Sequence, residues 1–569
     1  MIPTEADIMD TIMPSVKFKN INTKCRLHGT SYLALSIASL LAPYAFADID
    51  ITGTVQGESI FQEVDSEDDG TLSLTTFSIS PKLNTSLETR TFSGFWSGTI
   101  THLERDKRDD SRNDTFGEYD YSARWAPFER FILFDASGAL TYQNTDSSNY
   151  LVSDFLSNAD SLSKTRSNRI ATSVFSDQGN WAQGFGTVSY SNVKSERSEL
   201  DLGNALNNNI LQFEGTFENG DQAKQFIWEV SGTYQDSDRD ESVGGDYSAR
   251  TVDAFIDTSF AKNWAIRLTG SHEANQISDR TDTTSSTREF NSYGAGLTYR
   301  QNANRYISVT ANKSDSDVSD DDSNTYVGLD IEWALSNRTS VKGSYGRRFY
   351  GESASADITY NSKYFRTALS YSEDVTTTSQ LLADFENLGV FVCPTNSTSI
   401  SGCFQPNSLD YTTSADEQFV QLTTQNLSFD DNIILLKSTN FQAGYSFSRL
   451  TLAFSWRYDE SDYLDEDRLR RTYALGTTVA YQLGNYTYLN TSVDYANVDE
   501  RSNSDGINTG STDNWNASLG LERNIGRSLT TNIDITYLEK NGDLAIGGGQ
   551  FGENYTDRRI TLSIIYTYQ

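Results

Sequence analysis

Histidine, cysteine, proline, basic residues and long apolar runs are all in short supply in this chain, and each shortage closes off a class of function. There are three histidines, and beyond residue 47 only His102 and His272 remain, on separate segments. They provide neither a zinc site nor a nucleophile–base pair, so no cofactor and no enzymatic activity are expected. Of the three cysteines, Cys25 stands ahead of the apolar N-terminal run rather than at its end, which excludes a lipoprotein anchor. Lys and Arg number 45 against 78 Asp and Glu. Nucleic acid is therefore not an expected partner, because phosphate neutralisation needs clustered cations. After residue 47 no segment supplies the ~18 apolar residues of a membrane helix.

Aromatic residues, by contrast, are plentiful: 31 Tyr and 30 Phe. The mean hydropathy of -0.53 would fit a water-soluble protein, yet this mixture of residues suits strands better than helices. The one strongly apolar run, "YLALSIASLLAPYAFA", follows Lys17, Lys19, Lys24 and Arg26 and closes on Ala45-Phe46-Ala47. A basic region, an apolar core and a small-x-small end make a Sec-type signal peptide over 1–47, with Met1 or Met13 as the start. Residues 48–569 are then one exported domain, and if it enters a membrane it does so as strands.

From Asp48 onward, segments of alternating apolar and polar residues recur. In "YALGTTVAYQL", Tyr473, Leu475, Val479, Tyr481 and Leu483 share one face, while Gly476, Thr478 and Gln482 lie on the other. "VGLDIEWAL" groups Val327, Leu329, Ile331, Trp333 and Leu335 against Asp330 and Glu332. Small polar residues on the second face leave no dry core there; water on that side and lipid on the other account for the pattern. Connections alternate strictly between short ones, such as "AKN" and "LGNY", and long acidic ones, such as "YQDSDRDESVGGD", "KSDSDVSDDDSN" and "YDESDYLDEDR". The expected fold is all-β: a large transmembrane outer-membrane barrel of about 24 antiparallel strands, short turns in the periplasm and long loops outside. Outer-membrane lipid, lipopolysaccharide and the barrel assembly machinery are the implied partners. The chain ends "RRITLSIIYTYQ", a closing strand with Ile560, Leu562, Ile564, Tyr566 and Tyr568 outward and Gln569 one residue beyond the final aromatic. Pro81 falls inside the second strand, where the apolar register shifts between Leu74 and Phe77; a β-bulge is expected there.

Two long connections carry apolar residues at helical spacing. In 145–163, Leu151, Phe155, Ala159 and Leu162 fit one face of a short helix. In 376–432, Thr378 or Ser379 would cap a helix bearing Leu381, Leu382, Phe385 and Leu388. The second also holds Cys393 and Cys403, which an oxidising periplasm would pair. These connections, marked by Leu151, Phe155, Leu381 and Phe385, are the candidates for a constriction in a barrel too wide to stay open. Candidate lumen-facing charges are of mixed sign: Asp120, Asp330, Glu332, Glu522 and Asp534 against Arg124, Arg267, Lys342, Arg348 and Arg366. They read as cross-strand pairs stiffening a wet wall, or as a polar track for a hydrophilic polymer. The acidic run Asp315, Asp317, Asp320, Asp321 and Asp322 lacks the spacing and glycine of a calcium loop, and no metal site is expected.

The stretch "SYGRRFYGESASADITYNSKYFRTALSYSEDVTTTSQ" (344–380) resembles the PEP-CTERM system-associated outer-membrane β-barrel family. The likeness rests on Gly346, Arg348, Phe349, Tyr350 and Gly351, then Ser370 to Glu373 and Thr376 to Thr378. The opening "ITGTVQGESIFQEV" and "FSISPKLNTSL" are similar to the family's start, although Phe61-Gln62-Glu63 stands where members often carry an aromatic residue followed by Thr-Asp-Asn. The resemblance implies a bacterium with exosortase sorting and a role beside exopolysaccharide production and export. It carries over no catalytic or binding residue. The function expected is a pore or conduit for exopolysaccharide, working with periplasmic export proteins. A general diffusion porin and a structural or adhesive surface barrel stay open as alternatives.

Overall fold

The computed structural model describes residues 48–568 except 68–69, 107–112, 129–130, 147, 153, 157–158, 177–178, 197–204, 221, 223–224, 240–245, 278–285, 317–324, 384–390, 395–402, 404–416, 421–431, 465, 503–507 and 545–553. The expected signal peptide, Phe385, Leu388, Gln569 and Asp317 to Asp322 lie outside the described residues.

The first strands are β1 (Asp48–Ser66), β2 (Gly70–Glu88), β3 (Phe92–Arg105), β4 (Asn113–Trp125), β5 (Ile132–Asn144) and β6 (Leu162–Ser176). There follow β7 (Ala182–Ser195), β8 (Asn207–Asn219), β9 (Phe226–Arg239), β10 (Tyr247–Ala261), β11 (Trp264–Ile277) and β12 (Ser286–Asn302). Next come β13 (Arg305–Ser316), β14 (Thr325–Ser336), β15 (Thr339–Arg348), β16 (Gly351–Asn361) and β17 (Phe365–Thr377). An insert follows with α1 (Thr378–Ala383), β18 (Phe391–Pro394) and β19 (Glu417–Val420). The last group is β20 (Ile433–Phe447), β21 (Leu450–Tyr463), β22 (Arg468–Gly484), β23 (Thr487–Arg501), β24 (Asn508–Ile525), β25 (Leu529–Gly542) and β26 (Tyr555–Tyr568).

Twenty-four of these strands form one antiparallel sheet, each paired with its neighbours in sequence, with β17 passing directly to β20. The sheet closes on itself where Gly53 to Ser66 of β1 pair with Tyr568 to Tyr555 of β26. Closure leaves no sheet edge, the condition for strands to cross a bilayer. The strand number expected from alternation is the one found.

The outer surface is apolar in the way lipid requires. Ile560, Leu562, Ile564, Tyr566 and Tyr568 of β26 are all exposed, as are Trp264, Ile266 and Leu268 of β11 and Val327, Leu329 and Leu335 of β14. Exposed apolar side chains on nearly every strand exceed anything a soluble monomer displays. The chain is thus a transmembrane β-barrel of the outer-membrane type. Phe128, Phe131, Trp181, Phe226, Tyr364 and Tyr486 ring its short-turn end. Towards the other end, outward tyrosines carry a carboxylate partner: Tyr495 donates to Asp513 at 2.6 Å and Tyr537 to Glu539 at 2.7 Å. An aromatic body with a polar tip suits a membrane–water boundary.

Three expectations need correction. Connections do not alternate strictly in length: at the long-loop end, Phe349–Tyr350 alone joins β15 to β16, and residues 464–467 join β21 to β22. Much of the acidic sequence read as loop is strand; Tyr458 to Tyr463 belong to β21, and Lys313 to Ser316 to β13. About 10 residues cross the membrane, so strands of 14 to 19 residues continue beyond it, where both faces are polar and alternation vanishes. There is no bulge at Pro81 either. The β1–β2 register runs without a shift from Asp48↔Glu88 to Ser66↔Gly70, with Val55 opposite Pro81. Leu74 is buried while Phe77 is exposed, because they fall on opposite faces of an unbroken strand.

Candidate functional site: the lumen and its two inserts

A ring of 24 strands at about 4.8 Å spacing and about 40° tilt is roughly 45 Å across. Wall side chains cannot fill that width. Both long connections turn into it.

The first runs from the end of β5 to the start of β6. It is not helical as expected; only Ala159–Ser161 make a 3-10 turn, and Leu162 already belongs to β6. Side chains hold it instead. Asn144 Nδ2 donates to the carbonyls of Asn149 and Val152, at 2.8 and 2.9 Å. Asp146 Oδ1 accepts from the Ser148 amide and hydroxyl, at 2.9 and 2.6 Å. Such local bonds offer the backbone an alternative to helix. So fixed, the insert crosses to strands far round the ring. Asn514 of β24 donates to the Ser148 carbonyl at 3.0 Å, and the Tyr555 hydroxyl of β26 donates to Asn149 Oδ1 at 3.0 Å. Asp154 pairs with Arg559 at 2.6 Å. Tyr150, with Leu151 beside it, packs on Ala474 of β22, Ala496 and Val498 of β23, and Leu544. Burial pushes the Tyr150 hydroxyl up to about 12. Phe155 stacks on Phe116 of β4 with ring centroids 4.0 Å apart.

The second insert leaves β17 at Thr377 and rejoins at Ile433, which are direct cross-strand partners. Its helix begins where expected, but the cap is Thr377: its hydroxyl accepts the Gln380 amide at 3.2 Å. In a run of three threonines, only backbone direction decides which one stands at the cap. Leu381 is half-buried. Leu382 is buried against Val193 and Leu206, and Asn208 donates to Ser379. The chain then forms the β18–β19 hairpin and the Cys393–Cys403 disulfide. Cys393 is fully buried on Ala453 and Ala480, with Ala368 and Cys403 alongside. Those alanines lie three or four residues from the short-turn ends of β21, β22 and β17. The insert therefore descends most of the height of the lumen. Alanine permits so close an approach. The seat is imperfectly matched in polarity: among the described residues Gln442, buried on β20, has neither Nε2 nor Oε1 bonded, and Asn440 Oδ1 is also without a partner.

Charges on the lumen face form networks where strands bring opposite signs together. Arg267, between outward Ile266 and Leu268, grips both Asp257 oxygens at 2.7 and 2.8 Å and reaches Asp330 at 2.8 Å. Arg300 adds a bond to Asp257 at 3.0 Å, and the Arg267 guanidinium lies 4.1 Å from the Phe255 ring centroid. Arg267 and Asp257 are 2% and 1% exposed, so neither charge could remain there without the other. Lys342 faces Glu332 at 3.5 Å, Arg124 faces Asp135 at 2.9 Å, and Arg348 joins Glu273 at 2.8 Å and Asp374 at 3.2 Å. Arg366 is buried on β17 opposite Asn361. Asp120, Glu522 and Asp534 enter no ion pair among the described residues; Glu522 accepts from Asn490 at 3.3 Å. Asp257, Glu273, Asp374 and Arg300 were missed from sequence, although the same alternation places them inward. His102 and His272 face outward and bond Thr115 and Asn291, at 2.8 and 2.7 Å.

No protein-family model matches the sequence, and no curated protein matches it either. Among solved structures, the siderophore receptor PirA of Acinetobacter baumannii aligns at 9% identity over 90% of this chain and 80% of its own, with a TM-score of 0.40. The FrpB iron transporter of Neisseria meningitidis aligns at 10% identity over 91% and 82%, TM-score 0.38. OpdK of Pseudomonas aeruginosa, solved with vanillate, aligns at 8% over 91% and 99%, TM-score 0.30. Likeness of this degree adds nothing to what the closed ring itself establishes.

Proposed function

We propose that this protein is an outer-membrane conduit for exopolysaccharide secretion, delivered by a Sec signal peptide and held shut by its own two inserts. The observation that carries the closed state is the seat of the Cys393 hairpin on Ala368, Ala453 and Ala480, near the short-turn mouth. A wall meant to be covered permanently would pair its buried amides, and among the described residues neither Gln442 amide atom nor Asn440 Oδ1 has a partner. That mismatch, together with a seat of small side chains, supports an insert that leaves and returns. The polymer rests on the family resemblance of residues 344–380 alone. A diffusion porin is the second reading, favoured by the part-exposed wall from β23 to β4. Replacing residues 379–431 by a short linker should raise single-channel conductance severalfold in planar bilayers. A strain lacking the gene should retain polymer inside. Normal secretion from that strain would end the polymer reading, and unchanged conductance would end the closed-insert reading.

A further inference from the structure

Acidic residues that face the lumen fall into two groups, those that meet a cation and those that do not. On β10, β11 and β14, Asp257, Glu273, Asp330 and Glu332 each meet an Arg or Lys. Asp253 of β10, Glu229 of β9 and Asp357 of β16 meet none among the described residues. From β23 round through β1 to β4, where Asp557 and Asp114 are paired with Arg559 and Arg105, a longer run without a cation partner lies between those pairs. Asp494, Glu522, Asp534, Glu58, Glu118 and Asp120 alternate with outward residues such as Val493, Leu521, Ile533 and Tyr119, and so face the lumen. Among the described residues none of the six has a cation within 4.0 Å. Their side-chain donors are neutral: Ser78 and Gln56 reach Glu58 at 2.8 and 2.7 Å, and Asn490 reaches Glu522 at 3.3 Å. Lys82 of β2 acts on Glu118 and Asp120 only from beyond ion-pair distance. Like charges are neighbours, Glu522 with Asp534 and Asp534 with Glu58.

A second feature of the same wall concerns amides. Among the described residues Asn490, Asn516 and Asn532 each leave Oδ1 unbonded, and Asn84 leaves both Oδ1 and Nδ2 unbonded at 5% exposure. Asn84 stands in one cross-strand row with Ser97 and Asp120. Buried amide groups left unbonded are costly unless something visits them. A hydrated cation supplies what is missing: its water hydrogens meet the carboxylate and amide oxygens, and its water oxygens meet Nδ2. The described residues contain no cluster able to hold a metal. The acids are spread along strands, an arrangement for passing a cation on rather than keeping it.

We propose that this carboxylate and amide stripe makes the conduit selective for cations, the low-dielectric wall focusing its field into the lumen. The inference rests on the conduit reading above. Its test is the reversal potential of the full barrel, and of the barrel lacking 379–431, in planar bilayers under a KCl gradient. Potassium should permeate severalfold better than chloride. The variant D494N/E522Q/D534N/E58Q should bring the ratio close to unity, whereas E332Q/K342Q, which removes a matched pair, should leave it in place. Heat-modifiable mobility verifies folding; should the quadruple variant not fold, D494N and D534N are read singly, each expected to lower the ratio. Equal permeation in the parent, or selectivity unmoved by these substitutions, overturns the stripe. Absence of current from both barrels overturns the conduit itself.

Discussion

Tyr150 ties the first insert to the far wall. Its ring is buried among Ala474, Ala496, Val498 and Leu544, and cutting an aromatic to alanine in such a setting costs about 3–5 kcal/mol. Tyr150→Ala should therefore free the insert and expose it to protease in intact barrels, without loss of heat-modifiable mobility. Alkali gives an independent handle. Burial raises this hydroxyl from its ordinary 10.0 to about 12, so the seated state favours the protonated ring. Its contribution is complete below pH 10 and fades as pH climbs through about 12. Protease sensitivity of the insert should rise over that window in the wild type and not in Tyr150→Phe; the same rise in both would remove the assignment. None of this was legible beforehand. Leu151 and Phe155 marked the segment as apolar, but sequence says nothing about which wall a connection will meet.

At the scale of elements, legibility followed period. Where one strand face meets lipid and the other water, alternation located the strand and the side of Arg267, Asp330, Glu332 and Lys342. Beyond the bilayer both faces are wet, and Glu460, bonded outward to Arg471 at 2.8 Å, sits in β21 within sequence that reads as loop. Helical spacing misled in 145–163, where Asn144 and Asp146 bind local backbone more effectively than a single turn of helix would. The pairing of Cys393 with Cys403 followed from compartment and count, but its depth did not. The bridge encloses a short loop, and such a link is worth about 2–3 kcal/mol by chain entropy. Cys393→Ser with Cys403→Ser should leave the barrel folded yet lengthen its open dwell times in single-channel records. Dwell times identical to the parent's would mean that the hairpin needs no bridge to hold its seat.

The whole molecule depends on one joint. β26 must find β1 across the entire sequence, and Tyr568 opposite Gly53 is the last rung of that pairing. Tyr568→Ala removes an interfacial aromatic from the closing strand and should lower the yield of heat-modifiable barrel. Full yield would assign closure to the aliphatic residues above it. The pairing of Thr377 with Ile433 has a different consequence. The ladder of the wall is already complete at that rung, so nothing in the ring requires the chain between them. That chain is a cassette, carried by the barrel but not part of its construction. It can lengthen, shorten or be exchanged for another segment while the wall keeps every rung of its ladder. Sequence drift in this protein should therefore be fastest within the cassette and slowest in the wall that encloses the lumen.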